Sequence, residues 1–266
     1  MRYYDEVHKR LVYVSAGADS DFWDAHWDEQ KAINSYREKI PSYNMVLSNT
    51  KKFLPKGAHV LEGGAGLATN SWYLHLAGYK VTALDYAPKT VAFLKKNRPE
   101  VNPVLGDVHA LKQPSGSFDG YWSLGVIEHF YDGYDKIVHE AHRVISNGGY
   151  FFLTFPYMSK FRRLKAKLGK YPKFTGEAAD IEKFYQFALN KDSVIDVVRK
   201  AGFELSYEKS MGGLKGFKDE VKPLKSILQY IYDGQNIFLR IIRRVLEISL
   251  GRLFGHDILL VFKKVQ

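Results

Sequence analysis

Val60-Leu61-Glu62-Gly63-Gly64-Ala65-Gly66-Leu67-Ala68, followed by Val81-Thr82-Ala83-Leu84-Asp85, decides the fold of this chain. The pair reads as a buried strand, a glycine turn that opens a helix, and a second strand ending in an acid. Glycines at 64 and 66 allow backbone angles closed to other residues and a close approach to a ligand. An acid at the tip of the next strand can accept hydrogen bonds from both hydroxyls of a ribose. The two segments predict a nucleoside-bearing ligand at the carboxyl ends of a parallel sheet.

Strands are expected near 58–62, 79–84, 101–105, 118–124 and 150–155, with helices near 68–77, 88–97 and 134–145. Pro88 suits the first turn of its helix, where no backbone donor is lost. A dinucleotide fingerprint requires a third glycine where Thr69 stands, and no phosphate-cradling glycine-lysine motif is present. Glu62 before the turn would repel pyrophosphate, yet it suits a ligand carrying an amine and a sulfonium.

This Glu-x-Gly-x-Gly-x-Ala segment resembles the first motif of the class I S-adenosylmethionine-dependent methyltransferases. The likeness continues in order. Asp85 matches the family's ribose-binding acid, and Tyr86 the residue that commonly lies against adenine. Leu105-Gly106-Asp107-Val108 matches the segment whose acid receives the adenine amino group. Ser117 to His129, through Leu124, looks like the fourth strand and the turn after it. Val144 to Leu153 resembles the glycine turn into the fifth strand, with Ser146-Asn147 where Lys-Pro is usual. The match covers about residues 55–156 and resumes weakly at 185–209 and 257–264.

The resemblance implies an α/β fold, a Rossmann-like doubly wound sheet of seven strands. It also implies S-adenosyl-L-methionine as cofactor, with S-adenosyl-L-homocysteine as product. The cofactor residues it marks are Glu62, Gly63, Gly64, Gly66, Asp85, Tyr86, Asp107, Val108 and Leu124.

Residues 1–50 are rich in aromatics and read as a helical amino-terminal cap, in which Phe22-Trp23-Asp24-Ala25-His26-Trp27 resembles the cap of bacterial and archaeal methyltransferases acting on glycans or small substrates. Residues 51–266 read as the cofactor-binding domain with insertions at 157–180 and 210–256. The start lacks the apolar core of a signal peptide, and no apolar run nears the ~18 residues of a membrane span. Cysteine is absent, which removes disulfides, thiolate metal sites and cysteine nucleophiles. No His/Asp/Glu set has metal-site spacing, and a cytoplasmic location is expected.

Charge is unevenly placed. Residues 157–266 hold 22 Lys/Arg against 12 Asp/Glu, so the net +10 of the chain lies there. Residues 160–173 carry seven basic residues and no acid. In the second insertion, Phe238, Ile241, Ile242, Val245, Leu246, Ser249, Leu250 and Leu253 form a helical stripe with Arg240, Arg243, Arg244 and Arg252 off it. Three readings of 160–173 and 238–253 stay open: packing on the domain, docking at the inner face of an anionic membrane, or binding nucleic acid. The layout matches no recognisable RNA-binding module, and Ser123-Leu124-Gly125-Val126 stands where base-nitrogen enzymes carry Asp/Asn-Pro-Pro-Tyr/Phe.

Catalytic candidates must lie beyond the strand ends. His129 is the first choice of base, with Glu128 beside it, and Tyr185 would orient substrate. The acceptor expected is a hydroxyl or amine of a small molecule, a sugar or a lipid-linked glycan. An RNA acceptor, or a non-catalytic cofactor-binding subunit, is the alternative.

Overall fold

A computed structural model describes residues 1–15, 22, 40, 41 and 43–265. Ten strands are described, in two sheets. The larger has the order β5-β4-β3-β6-β7-β10-β9. Its strands are β3 (His59–Gly63), β4 (Lys80–Asp85), β5 (Pro103–Leu105), β6 (Phe118–Leu124), β7 (Ile145–Pro156), β9 (Phe203–Met211) and β10 (Asp257–Lys264). β3 pairs in parallel with both β4 and β6, and β4 in parallel with β5. The chain thus runs outward from β3 to β5, then returns to lay β6 on the other side of β3. That reversal opens a crevice at the carboxyl ends of β3 and β6, where ligands bind in open α/β sheets.

The chain divides into two compact units. One comprises residues 17–153, 196–206 and 261–266. In it, helices α1 (Met45–Phe53), α2 (Thr69–Leu76), α3 (Pro88–Asn97) and α4 (Asp135–Val144) accompany the strands. Asn44 caps α1 by accepting from the Leu47 amide at 2.8 Å, and Pro88 occupies the first turn of α3 as its fixed φ favours. Trp122 on β6 is fully buried, stacks on Phe152 with centroids 4.3 Å apart, and donates from Nε1 to Thr50 Oγ1 at 2.9 Å. This one side chain ties α1 to the sheet.

The other unit comprises residues 1–16, 154–195 and 207–260. Here β1 (Arg2–Asp5), β2 (Arg10–Val14) and β8 (Phe184–Ala188) form an antiparallel three-stranded sheet. Residues 2–14 were expected to be helical; the structure corrects this. Tyr3, Tyr4, Val12, Tyr13 and Val14 are aromatic or β-branched, and Asp5 closes the turn by accepting from the Val7 and His8 amides at 3.1 Å. Within residues 1–50, α1 is the helix the structure describes at length, and the Trp23–Trp27 part of the cap motif lies outside the described residues.

Helices α5 (Lys160–Lys167), α6 (Ala178–Glu182), α7 (Lys191–Lys200), α8 (Gly213–Glu220), α9 (Lys225–Asp233) and α10 (Ile237–Phe254) complete the described set. The basic run at 160–173 is largely engaged. Arg162, fully buried, donates from Nε to Glu220 Oε1 at 3.1 Å and from Nη1 to the Tyr157 carbonyl at 2.8 Å. Lys165 pairs with Glu220 at 2.7 Å, Arg163 with Asp192 at 3.7 Å and Lys173 with Glu6 at 3.3 Å.

Candidate cofactor-binding site

The site grows from the loop between β3 and α2. The amides of Gly64 and Ala65 donate to the Leu84 carbonyl at 2.9 and 3.0 Å, and the Gly66 amide donates to Asp85 Oδ2 at 2.7 Å. The turn is therefore zipped to the end of β4. Gly64 sits at φ +75°, and a Cβ there would lie 2.6 Å from Val126 Cγ2, so both backbone and space demand glycine. Gly63 is constrained on another side: a methyl group on it would run into the Tyr121 hydroxyl.

The carboxyl ends of β3, β4, β5 and β6 enclose a cavity of about 610 Å³. Of the sequence-derived residues, Glu62, Gly64, Gly66, Asp85, Tyr86, Asp107, Val108, Leu124 and His129 line it; Gly63, Glu128 and Tyr185 are not among its walls. Glu128 is buried on the short turn Ile127–His129, and Tyr185 is half-buried on β8. Thr69, Asn70, Val126, His109 and Phe130 also line the cavity and were not anticipated.

Glu62 is buried beneath the turn. Its Oε2 accepts from the Ser71 amide at 3.0 Å and from the Ser71 hydroxyl. Burial, which the Ser71 and Asn70 hydrogen bonds only partly offset and the Asp85 carboxylate reinforces, pushes its pKa up to about 7. Asp85 is also buried, and its Oδ1 accepts from the Ala87 amide at 3.0 Å. Asp107 accepts from the backbone amide of His109 at 2.9 Å and contacts its Nδ1 at 2.7 Å. Partial burial would raise this carboxyl, but the His109 contacts outweigh it and lower it. The His109 ring meets Phe130 edge-on at 4.3 Å. His129, half-buried, hangs from the turn after β6, its amide donating to the Val126 carbonyl at 3.2 Å.

Three acids at three successive strand tips, around an apolar-floored cavity, form a site for an amine-bearing nucleoside. Residues 61–153 match the methyltransferase domain family. The chain carries a methyltransferase domain of the class I, S-adenosylmethionine-dependent family. It is 28% identical over 160 residues to a Mycolicibacterium smegmatis protein described as an S-adenosylmethionine-dependent methyltransferase, over 60% of this chain and 56% of that one. The chain thus spans about half the length of that curated relative.

Among solved structures, the fold is shared with a complex of the Haloferax volcanii Trm112 methyltransferase activator and a methyltransferase (TM-score 0.56, 15% identity, 95% of this chain and 100% of that one). It is shared equally with the [4+2]-cyclase SpnF (TM-score 0.55, 16% identity, 96% and 99%). The domain's cofactor is S-adenosylmethionine, and the residues fit it. A buried acid with a raised pKa suits a cationic amine, and a glycine cradle without room for a Cβ suits close backbone approach. Among the described residues no His/Asp/Glu group is placed to hold a metal ion.

Proposed function

We propose that this chain transfers a methyl group from S-adenosylmethionine to a hydroxyl or amine of a small molecule, a sugar or a lipid-linked glycan. The observation that carries the proposal is the convergence of Glu62, Asp85, Asp107 and His129 on one cavity. When bound, the cofactor supplies an electrophilic methyl on a sulfonium, so positioning accounts for much of the rate. Glu62 would hold the cofactor's amine, a cation that favours the ionised form of its carboxyl. Asp85 would accept from the ribose hydroxyls. Asp107, held by His109, would accept from the adenine amino group, with Tyr86 alongside. His129 would take the proton from a hydroxyl or amine acceptor as its bond to the methyl carbon forms and the carbon–sulfur bond breaks, the bonding pair leaving with the neutral thioether of S-adenosylhomocysteine.

The test is incubation with methyl-labelled S-adenosylmethionine and fractionated acceptor pools: small amines and alcohols, acidic sugars, lipid-linked sugars, and RNA. Label is expected in a small-molecule, sugar or lipid fraction and absent with Asp85→Ala. Label confined to RNase-sensitive material would replace this reading with RNA methylation. Tight cofactor binding without transfer to any pool would make the chain a non-catalytic cofactor-binding subunit.

A further inference from the structure

The second insertion is built inside out. Helix α10 has 18 residues, and Asn236 caps it by accepting from the Leu239 amide at 2.8 Å. Its inward side is settled: Gly251 and Phe254 are buried, and the Phe254 ring packs against Phe161 and Phe217 at 4.5 and 4.6 Å. Glu247 also turns inward, accepting from the amides of Gly213 and Leu214 at 2.9 and 3.2 Å. The opposite face carries Ile237, Phe238, Ile241, Ile242, Val245 and Ile248, all exposed, with Phe238 at 74% and Ile248 at 73%. A surface helix ordinarily buries its apolar stripe and solvates the other side. A contiguous apolar face left in water marks a place where something docks.

Charge identifies the occupant. Arg240 and Arg244, one turn apart and exposed, border this face, and Arg252 projects from within it. Residues 222–254 hold two acids, and both are engaged: Glu247 as above, and Asp233 by Gln229 at 2.7 Å. Cations therefore outnumber carboxylates around the apolar face, and the two acids are turned to hydrogen-bond donors rather than paired with these arginines. A second copy would set these arginines against each other, whereas lipid phosphates complement them. No described helix is long and apolar enough to cross a membrane, so α10 would lie in the interfacial plane. There its arginine stems reach up to the headgroups while the isoleucines enter the acyl boundary. Arg243 is spoken for, donating to the Tyr232 carbonyl at 2.6 Å. Ile227 and Tyr230 on α9, which packs on α10, are exposed as well.

We infer that the exposed face of α10 docks this protein onto an anionic lipid leaflet. The run at 160–173 is secondary, because four of its seven cations are held in ion pairs. The inference does not depend on the methyl acceptor.

The experiment is co-sedimentation of the full chain with vesicles of phosphatidylcholine and phosphatidylglycerol in equal parts, beside pure phosphatidylcholine. The chain should pellet with the anionic vesicles and be released by salt. Arg240→Gln and Arg244→Gln should each weaken binding about fivefold. Ile241→Asp with Val245→Asp should weaken it at least about tenfold, since it places charge in the acyl boundary. S-adenosylhomocysteine titration of each variant checks that the fold persists and reports cofactor binding separately. No pelleting at low salt, or equal pelleting of the Ile241→Asp/Val245→Asp variant, overturns the inference. So does a concentration-dependent dimer that this variant dissolves, since a second copy would then cover the face.

Discussion

Glu62 concentrates the tension at this site. A carboxyl group shut from water, with Asp85 nearby, is held at a pKa of about 7, against about 4.5 in an unfolded chain. A folded-state pKa above the unfolded one means the group favours folding at low pH, and that contribution is lost as pH rises from about 4.5 through about 7. Glu62→Gln should therefore raise the melting temperature of the ligand-free protein above pH 7, and the gain should vanish below about pH 4.5. The same change should weaken S-adenosylmethionine, because a neutral amide cannot pair with its amine. Thermal melts across pH check the first statement; a variant no more stable than the parent at pH 8 would contradict it. His129→Gln should cut turnover on a hydroxyl acceptor by about 10²- to 10⁴-fold while leaving S-adenosylhomocysteine affinity unchanged. Near-normal turnover would return His129 to a structural role. The acids could be picked out in the sequence because each lies at or within two residues of a strand end, where an apolar run gives way to a polar residue. His109, Phe130, Thr69 and Asn70 were not. Loops and a helix entry bring them to the cavity, and no periodicity records where a loop folds back.

At the scale of elements, legibility followed the hydrogen-bond period. Expected helices 88–97 and 134–145 stand as α3 and α4, and the expected strands fall within a few residues of β3, β4, β5 and β6. Each is a local apolar pattern bounded by glycine, proline or charge. The hairpin of β1 and β2 was missed because its aromatics fit a packed helix as well as a pleated strand. Its partner β8 comes from some 170 residues further on, a pairing that no local pattern reveals. The basic helix α5 also looked different in sequence. The seven cations of residues 160–173 left packing, membrane docking and nucleic-acid binding open; Glu220 on α8 draws in Arg162 and Lys165 with Arg2, and Tyr171 donates to it at 2.7 Å. Burial would raise Glu220, but its hydrogen bond from Lys165, with Arg2, Tyr171 and Arg162, more than offsets this and holds it at about 2. Its contribution to folding is thus present above pH 4.5 and lost as pH falls toward 2. Glu220→Gln should destabilise the chain by about 3–5 kcal/mol at neutral pH, by leaving buried Arg162 without its counter-charge. Urea unfolding checks this; a loss under about 1 kcal/mol would show that the network is dispensable.

Across the whole molecule, the sequence located the charge but not its use. The +10 carried by residues 157–266 divides between cations consumed in the Glu220 network and cations left around the apolar face of α10. Composition cannot separate the two, because the partner acid lies about sixty residues away in sequence. The seven-stranded sheet, by contrast, was legible in the sequence: its motifs sit near successive strand ends in chain order, so linear spacing maps onto the sheet. A formed site that binds S-adenosylhomocysteine only in the folded state should stabilise the chain by about 2.7 kcal/mol at a hundredfold excess over its Kd, read as a concentration-dependent rise in Tm. A Tm indifferent to ligand would speak against a formed site. The most direct measurement is calorimetric titration of the parent chain and Asp85→Ala with S-adenosylmethionine and S-adenosylhomocysteine. The site described here predicts micromolar binding of both to the parent and a loss of at least about tenfold, or 1.4 kcal/mol, on removing the Asp85 carboxylate. No binding by the parent, or unchanged affinity in Asp85→Ala, would contradict the assignment of this cavity to the cofactor.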